Sequence, residues 1–150
     1  MSEDYRDFLA ELVKAEARFL VVGAHALSVH GLPRATVDLD VWIDRTPGNT
    51  RRVWRALAEF GAPVNDLGIK EQDLQQPDVV IQLGLPPLRI DLLTSVSGIT
   101  FDEAWPDRVE TDFEGVGVPF LGRAALIRNK RATGRLKDLA DLESLGESPT

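Results

Sequence analysis

Asp38 and Asp40 stand two residues apart in the stretch Phe19 to Asp44, FLVVGAHALSVHGLPRATVDLDVWID. On a strand that spacing turns both carboxylates to one face, with Leu39, Val41 and Ile43 on the other. Aspartate is depleted from strands and neighbouring carboxylates repel, so the pair calls for a counter-ion, and a divalent cation is the natural one. Taken alone, Asp-x-Asp also suits a half-exposed strand edge. A third aspartate, Asp91, lies in Arg89-Ile90-Asp91-Leu92-Leu93, where Arg89, Asp91 and Leu93 share one strand face. An unpartnered carboxylate in such an apolar run is costly. Asp38, Asp40 and Asp91 together have the number and type to hold two Mg²⁺ ions, with substrate phosphates completing the shells. One ion would lower the pKa of an attacking hydroxyl; the other would grip a triphosphate and its leaving pyrophosphate.

Gly23 is placed to serve that chemistry. Phe19 to Val22 is a short apolar run that reads as a buried strand, and Ala24 to His30 as a short helix closed by Gly31. Glycine between strand and helix lets the backbone approach a ligand closely, and the first amides of a helix suit phosphate. Leu32 to Ala35 is a connection, because Pro33 disfavours helix at Leu32, and Thr36 to Ile43 is the aspartate strand.

The remaining elements must carry these residues. Ser2 is placed to cap a helix reaching about Ala17, with Phe8, Leu9, Leu12 and Ala15 on its apolar face. Thr46 and Pro47 open a helix that Gly61 closes. A short helix is expected near Glu71 to Leu74. Val79 to Leu83 and Leu88 to Thr94 read as a hairpin about Gly84-Leu85-Pro86-Pro87. Phe101 to Trp105 reads as a helical turn, and Arg108 to Phe113 with Val116 to Leu121 as a further strand pair. Helix follows over Arg123 to Thr133, a break at Gly134, and helix again over Arg135 to Leu145 with Leu136, Leu139, Ala140 and Leu145 facing inward. The expectation is one α/β (α+β) domain over residues 1–150, a small mixed sheet flanked by helices, with a helical segment at 123–145 and a frayed tail at 146–150.

Composition narrows the class. Of 150 residues, 43% are hydrophobic and 27% charged, as in soluble globular proteins. No apolar run is long enough to span a bilayer, and the acidic start does not resemble a signal peptide, so a cytoplasmic location without membrane contact is expected. The absence of cysteine excludes disulfides and thiolate metal sites. A net charge of −7 argues against indiscriminate nucleic-acid binding. Arg123, Arg128, Lys130, Arg131, Arg135 and Lys137 nevertheless follow one another with no acid between them. Such a run suits a phosphate-bearing ligand or a solvated helix face.

Gly23-Ala24, then thirteen residues, then Asp38-Leu39-Asp40, and later Asp91, resembles the nucleotidyltransferase superfamily of DNA polymerase beta type. The GAHAL turn, the GLPRAT approach and the closing RLKDL stretch from Arg135 look like its minimal bacterial members, related to abortive-infection and toxin–antitoxin nucleotidyltransferases. The resemblance runs from Phe19 to about Leu145. It implies that fold, dependence on Mg²⁺ with Mn²⁺ as a substitute, and transfer of a nucleoside monophosphate from a nucleoside triphosphate such as ATP to an acceptor hydroxyl. It also implies Asp38, Asp40 and Asp91 as the metal-binding carboxylates and Gly23 as the first glycine of the phosphate loop. Ala24 stands where many members carry Gly or Ser, keeping a backbone donor without the hydroxyl. With no large acceptor-binding domain, the acceptor could be bound by an oligomer, by a cognate protein partner or barely at all, and its identity is left open among RNA (transfer RNA included), protein and a small molecule. The alternative is a non-catalytic binding or antitoxin module on the same fold.

Other candidates are individually weaker. Arg34 and Thr36 could contact phosphate or hold the loop, and Lys130 and Lys137 could reach the triphosphate or remain solvated. Trp42 shares the aspartate face and could stack on a base, with core packing the better reading. His25 and His30 point to different sides of their helix and are not placed to share a metal.

Overall fold

A computed structural model describes residues 3–34, 38–84 and 89–150. The element order is α1 (Glu3–Lys14), β1 (Phe19–Val22), α2 (Gly23–Val29), β2 (Leu39–Ile43), α3 (Pro47–Phe60), a 3-10 helix (Glu71–Gln75), β3 (Val80–Leu83) and β4 (Ile90–Leu93). Then come α4 (Phe101–Ala104), a second 3-10 turn (Trp105–Asp107), β5 (Val109–Phe113), β6 (Val116–Phe120), α5 (Arg123–Thr133) and α6 (Leu136–Ser144). The strands form one six-stranded mixed sheet in the order β3-β4-β2-β1-β6-β5. This is the mixed α/β architecture expected. Ser2, Thr36, the start of the fourth strand at Leu88 and the hairpin turn at 85–87 lie outside the described residues.

Strand alternation sorts the core into two layers. Leu39, Val41 and Ile43 of β2 and Val21 of β1 join Phe8, Leu9 and Leu12 of α1 and Val53, Ala56 and Leu57 of α3. Leu20, Val22 and Trp42 face the other way, onto Leu27 of α2, Phe101 of α4 and Leu126 of α5. Each such fully buried aliphatic side chain contributes about 1.5–3 kcal/mol relative to exposure. Trp42 is core, meeting Phe101 edge-on at 5.2 Å. The helix carrying Val53 and Leu57 starts at Pro47 after an extended Thr46 and ends at a left-handed Gly61, as expected, but the Thr46 hydroxyl makes no capping hydrogen bond. Its buried Asn49 ties it to the sheet, accepting from the Arg18 amide at 2.6 Å and donating to the carbonyls of Arg18 and Asp44 at 2.9 and 2.6 Å.

The last helix is turned differently from its expected orientation. Leu136 is 87% exposed, while Asp138, Asp141 and Leu142 are buried. Leu139, Ala140 and Leu136 instead line a surface groove with Glu143, Glu147 and Pro149. The reason is ionic. Lys130 on α5 contacts Asp138 at 3.1 Å and Asp141 at 3.0 Å, so the two acids, three residues apart, must face α5. Asp138 also accepts from the backbone and guanidinium of Arg135 at 3.2 and 2.7 Å, which caps α6.

Candidate functional site

The carboxylates meet because β2 lies between β1 and β4. Parallel pairing of β2 with β4 sets Asp40 opposite Asp91, and antiparallel pairing of β1 with β2 sets Val22 opposite Asp40. Laterally paired residues project to the same side, so Asp40 and Asp91 stand together where β1 turns into α2. Asp38 stands immediately before β2. The turn itself fits the acid: Gly23 has φ +68°, and a β-carbon there would collide with the Asp40 carboxylate. Glycine is required twice over, for the left-handed backbone and for the space.

Arg89 completes the cluster. Its guanidinium contacts Asp38 at 3.1 Å and Asp91 through Nε at 3.0 Å and Nη2 at 3.3 Å. The Arg89 backbone is pinned from two sides: its carbonyl accepts from the Tyr5 hydroxyl at 3.2 Å and from the Leu39 amide at 3.0 Å. Among the described residues Asp40 has no ion pair of its own. Burial, reinforced by the charges of Asp91 and Asp38, pushes its carboxyl up to about 6 despite the opposing pull of Arg89. Burial and the same three aspartates raise the Tyr5 phenol. His25 is buried against Tyr5 and Phe113, and burial lowers its basicity, so the neutral ring packs under the site rather than charging it. His30 is occupied elsewhere, with Nε2 2.8 Å from the Leu121 carbonyl.

A crevice of about 230 Å³ opens beside Gly23 and Asp40 and extends to Ser95, Ser97, Asn129, Lys130, Thr133 and Arg135. Lys130 therefore faces the crevice from an ionic network, and Arg135, half-exposed, flanks it. Arg34 reaches the same network by ion-pairing with Asp141, which ties the approach to β2 onto α6. Ala24 sits in the first turn of α2. Lys137 is exposed on α6 and does not line this crevice. A larger crevice of about 690 Å³ lies further along β2, past Trp42, and touches the first at Ser95 and Val96.

The donor set is of the kind a hard divalent cation takes: two carboxylates on paired strands and a third immediately before one of them, with one guanidinium to offset them. Among the described residues no trio of His, Cys, Asp or Glu forms a ready-made metal cage. Arg89 lies between two of the three acids, so the carboxylates are gathered without converging on one point. Arg89, Tyr5, Asp138 and Asp141 carry roles here that the sequence reading did not give them. Arg89 was visible as a cation two residues before Asp91 on the same strand face; Tyr5 gave no signal.

No protein-family model matches the chain, and no curated protein matches it. Among solved structures, the chain is similar to a putative nucleotidyltransferase (TM1012) from Thermotoga maritima, with a TM-score of 0.59 over 95% of this chain and 88% of that one. At 14% identity the likeness establishes a shared fold. The chain thus shares the fold of that structure, a mixed sheet flanked by helices as expected.

The contact between Gly23 and Asp40 can be tested by itself. Gly23→Ala is expected to lower stability by about 2–4 kcal/mol in urea unfolding, combining a left-handed alanine with displacement of the Asp40 carboxylate. Gly61→Ala has the left-handed backbone at φ +85° but open space around it, so it should cost only about 1 kcal/mol. Equal losses would show that Asp40 does not press on Gly23.

Proposed function

We propose that this chain is a metal-dependent nucleotidyltransferase, passing a nucleoside monophosphate from a nucleoside triphosphate to an acceptor hydroxyl. The observation that carries the reading is Asp40 paired with Asp91 across two parallel strands, Asp38 beside them and Gly23 packed against Asp40. Divalent cations, Mg²⁺ or Mn²⁺, bound by Asp38, Asp40 and Asp91 would supply activation of the acceptor hydroxyl and neutralise charge on the triphosphate. The chain's own groups do the positioning. Gly23 and the Ala24 backbone line the approach to Asp40, while Lys130 and Arg135 offer positive charge along the crevice wall, where a triphosphate would lie. Lys130 is held in place by Asp138 and Asp141, and Arg34 is tied to Asp141 of α6; Thr36 is a phosphate-contact candidate from its sequence position alone, and Lys137 would contribute only to long-range attraction. Catalysis of this kind draws on orientation and charge rather than on a covalent intermediate. The acceptor is RNA, protein or a small molecule, and the setting a cytoplasmic toxin–antitoxin or phage-defence system with a cognate protein partner.

A second reading has support of its own: Arg89 sits among the acids where a cation is needed, and Ala24 lacks a phosphate-binding hydroxyl. On that reading the fold serves as a non-catalytic or antitoxin module. Incubation with Mg²⁺, each α-labelled nucleoside triphosphate and a cell lysate, followed by RNase or protease treatment, separates the two. Label retained on an acceptor and dependent on Mg²⁺ is expected. No label with any of the four nucleotides would favour the non-catalytic module.

A further inference from the structure

The Arg89 side chain contacts the lone pairs that a cation at Asp38 and Asp91 would need. Its backbone is fixed by Tyr5 and Leu39, whereas its side chain is 27% exposed and held by the two carboxylates. Resting on the metal-dependent reading above, we infer that Arg89 is an exchangeable counter-ion that holds Asp38 and Asp91 together in the metal-free chain and so makes metal binding depend on nucleotide. Three acids brought to one sheet face repel one another; a guanidinium bridging two of them is the local compensation. A divalent cation arriving alone must displace part of that bridge and approach a fixed positive charge. A cation arriving with a triphosphate meets no such barrier, because the phosphates supply its remaining oxygen ligands and give the displaced guanidinium a new anion. Coupling between two ligands at adjacent sites is commonly worth about 5–150-fold in affinity, and by linkage it is reciprocal.

The test is Mn²⁺ binding to the full chain, with and without a non-hydrolysable nucleoside triphosphate analogue, followed by the paramagnetic resonance of free Mn²⁺ against a matched protein-free titration that subtracts the Mn²⁺ held by the analogue itself. Wild type is expected to bind Mn²⁺ weakly alone and at least about tenfold more tightly with the analogue. Arg89→Gln removes the competing charge, so it should bind Mn²⁺ alone about tenfold more tightly than wild type and gain less from the analogue. Arg89→Lys, whose point charge cannot bridge two carboxylates, should fall between them; it decides the matter if circular dichroism shows that Arg89→Gln does not fold. Binding by both variants that is no tighter than wild type, in a protein whose analogue-dependent site is lost in Asp40→Asn, overturns the inference and leaves the metal site standing. Absence of Mn²⁺ binding even with the analogue, in every variant, overturns the metal-dependent reading and this inference with it.

Discussion

Asp40→Asn is expected to abolish nucleotidyl transfer, by on the order of a thousandfold or more, while making the protein more stable at neutral pH. The loss follows from removing a charged oxygen ligand at the centre of the cluster. The gain follows from the same geometry: Asp40 is buried, and it stands against Asp91 and Asp38 with only Arg89 to offset three acids. Its carboxyl is raised from the ordinary 3.8 to about 6, so the folded chain binds this proton more tightly than the unfolded chain. The contribution to stability is therefore full below 3.8, declines as pH rises between these values, and is lost above about 6. Asparagine does not titrate. Thermal unfolding should show the variant more stable by about 1–3 kcal/mol at neutral pH and matched to wild type near the ordinary carboxyl value. Unchanged transfer would remove Asp40 from the metal site, and a variant less stable at neutral pH would remove the repulsion.

Asp138→Ala is expected to have the largest effect on the fold, about 3–5 kcal/mol in urea unfolding. The residue is fully buried and accepts from Lys130 and Arg135, so its removal leaves the buried Lys130 with Asp141 as its remaining partner among the described residues and at the same time uncaps α6. Burial acts to raise the Asp138 carboxyl, but hydrogen bonds from Arg135, Thr133 and Lys130 outweigh it and hold the group well below the usual carboxylate range. That depressed value means the stabilisation is complete above the ordinary carboxyl value and fades as pH falls beneath it. The double variant Asp138→Leu with Lys130→Met, which removes both charges, should recover most of the loss. If the single variant unfolds at the wild-type urea concentration, the network is peripheral rather than structural.

How much of this could be read from the chain depends on the range of the interaction concerned. The strand position of Asp40 was legible because two-residue periodicity is a local property, as were Gly23 at a strand end and the Pro47 to Gly61 helix, whereas Asp38, expected on the same strand, stands one residue before it. The sheet order was not legible, because pairing β2 with β4 is decided by the whole core. The role of Arg89 depends on that pairing: its spacing from Asp91 was plain, its reach to Asp38 was not. The last helix shows the opposite failure. Leu136 is expected inward because apolar residues usually are, whereas Lys130 on the preceding helix turns Asp138 and Asp141 inward and leaves Leu136 in solvent; Leu145 does pack against the core. Lys130 itself was identified as a candidate from its charge, and its anchoring emerges only with α6 packed against it.

The parallel register of β2 and β4 also bears on the order in which the molecule assembles. Strands joined in parallel need a long crossover, here one that includes α3, so Asp40 and Asp91 are distant on the unfolded chain and come together only when a costly loop closes. The mutual repulsion of the acids is then felt late, after most of the hydrophobic surface has been sequestered. Interactions formed after the folding barrier govern how quickly a native protein opens, more than how quickly it forms. A bound cation in this cluster would therefore act as a kinetic lock, lengthening the lifetime of the folded chain while leaving its rate of formation nearly unchanged.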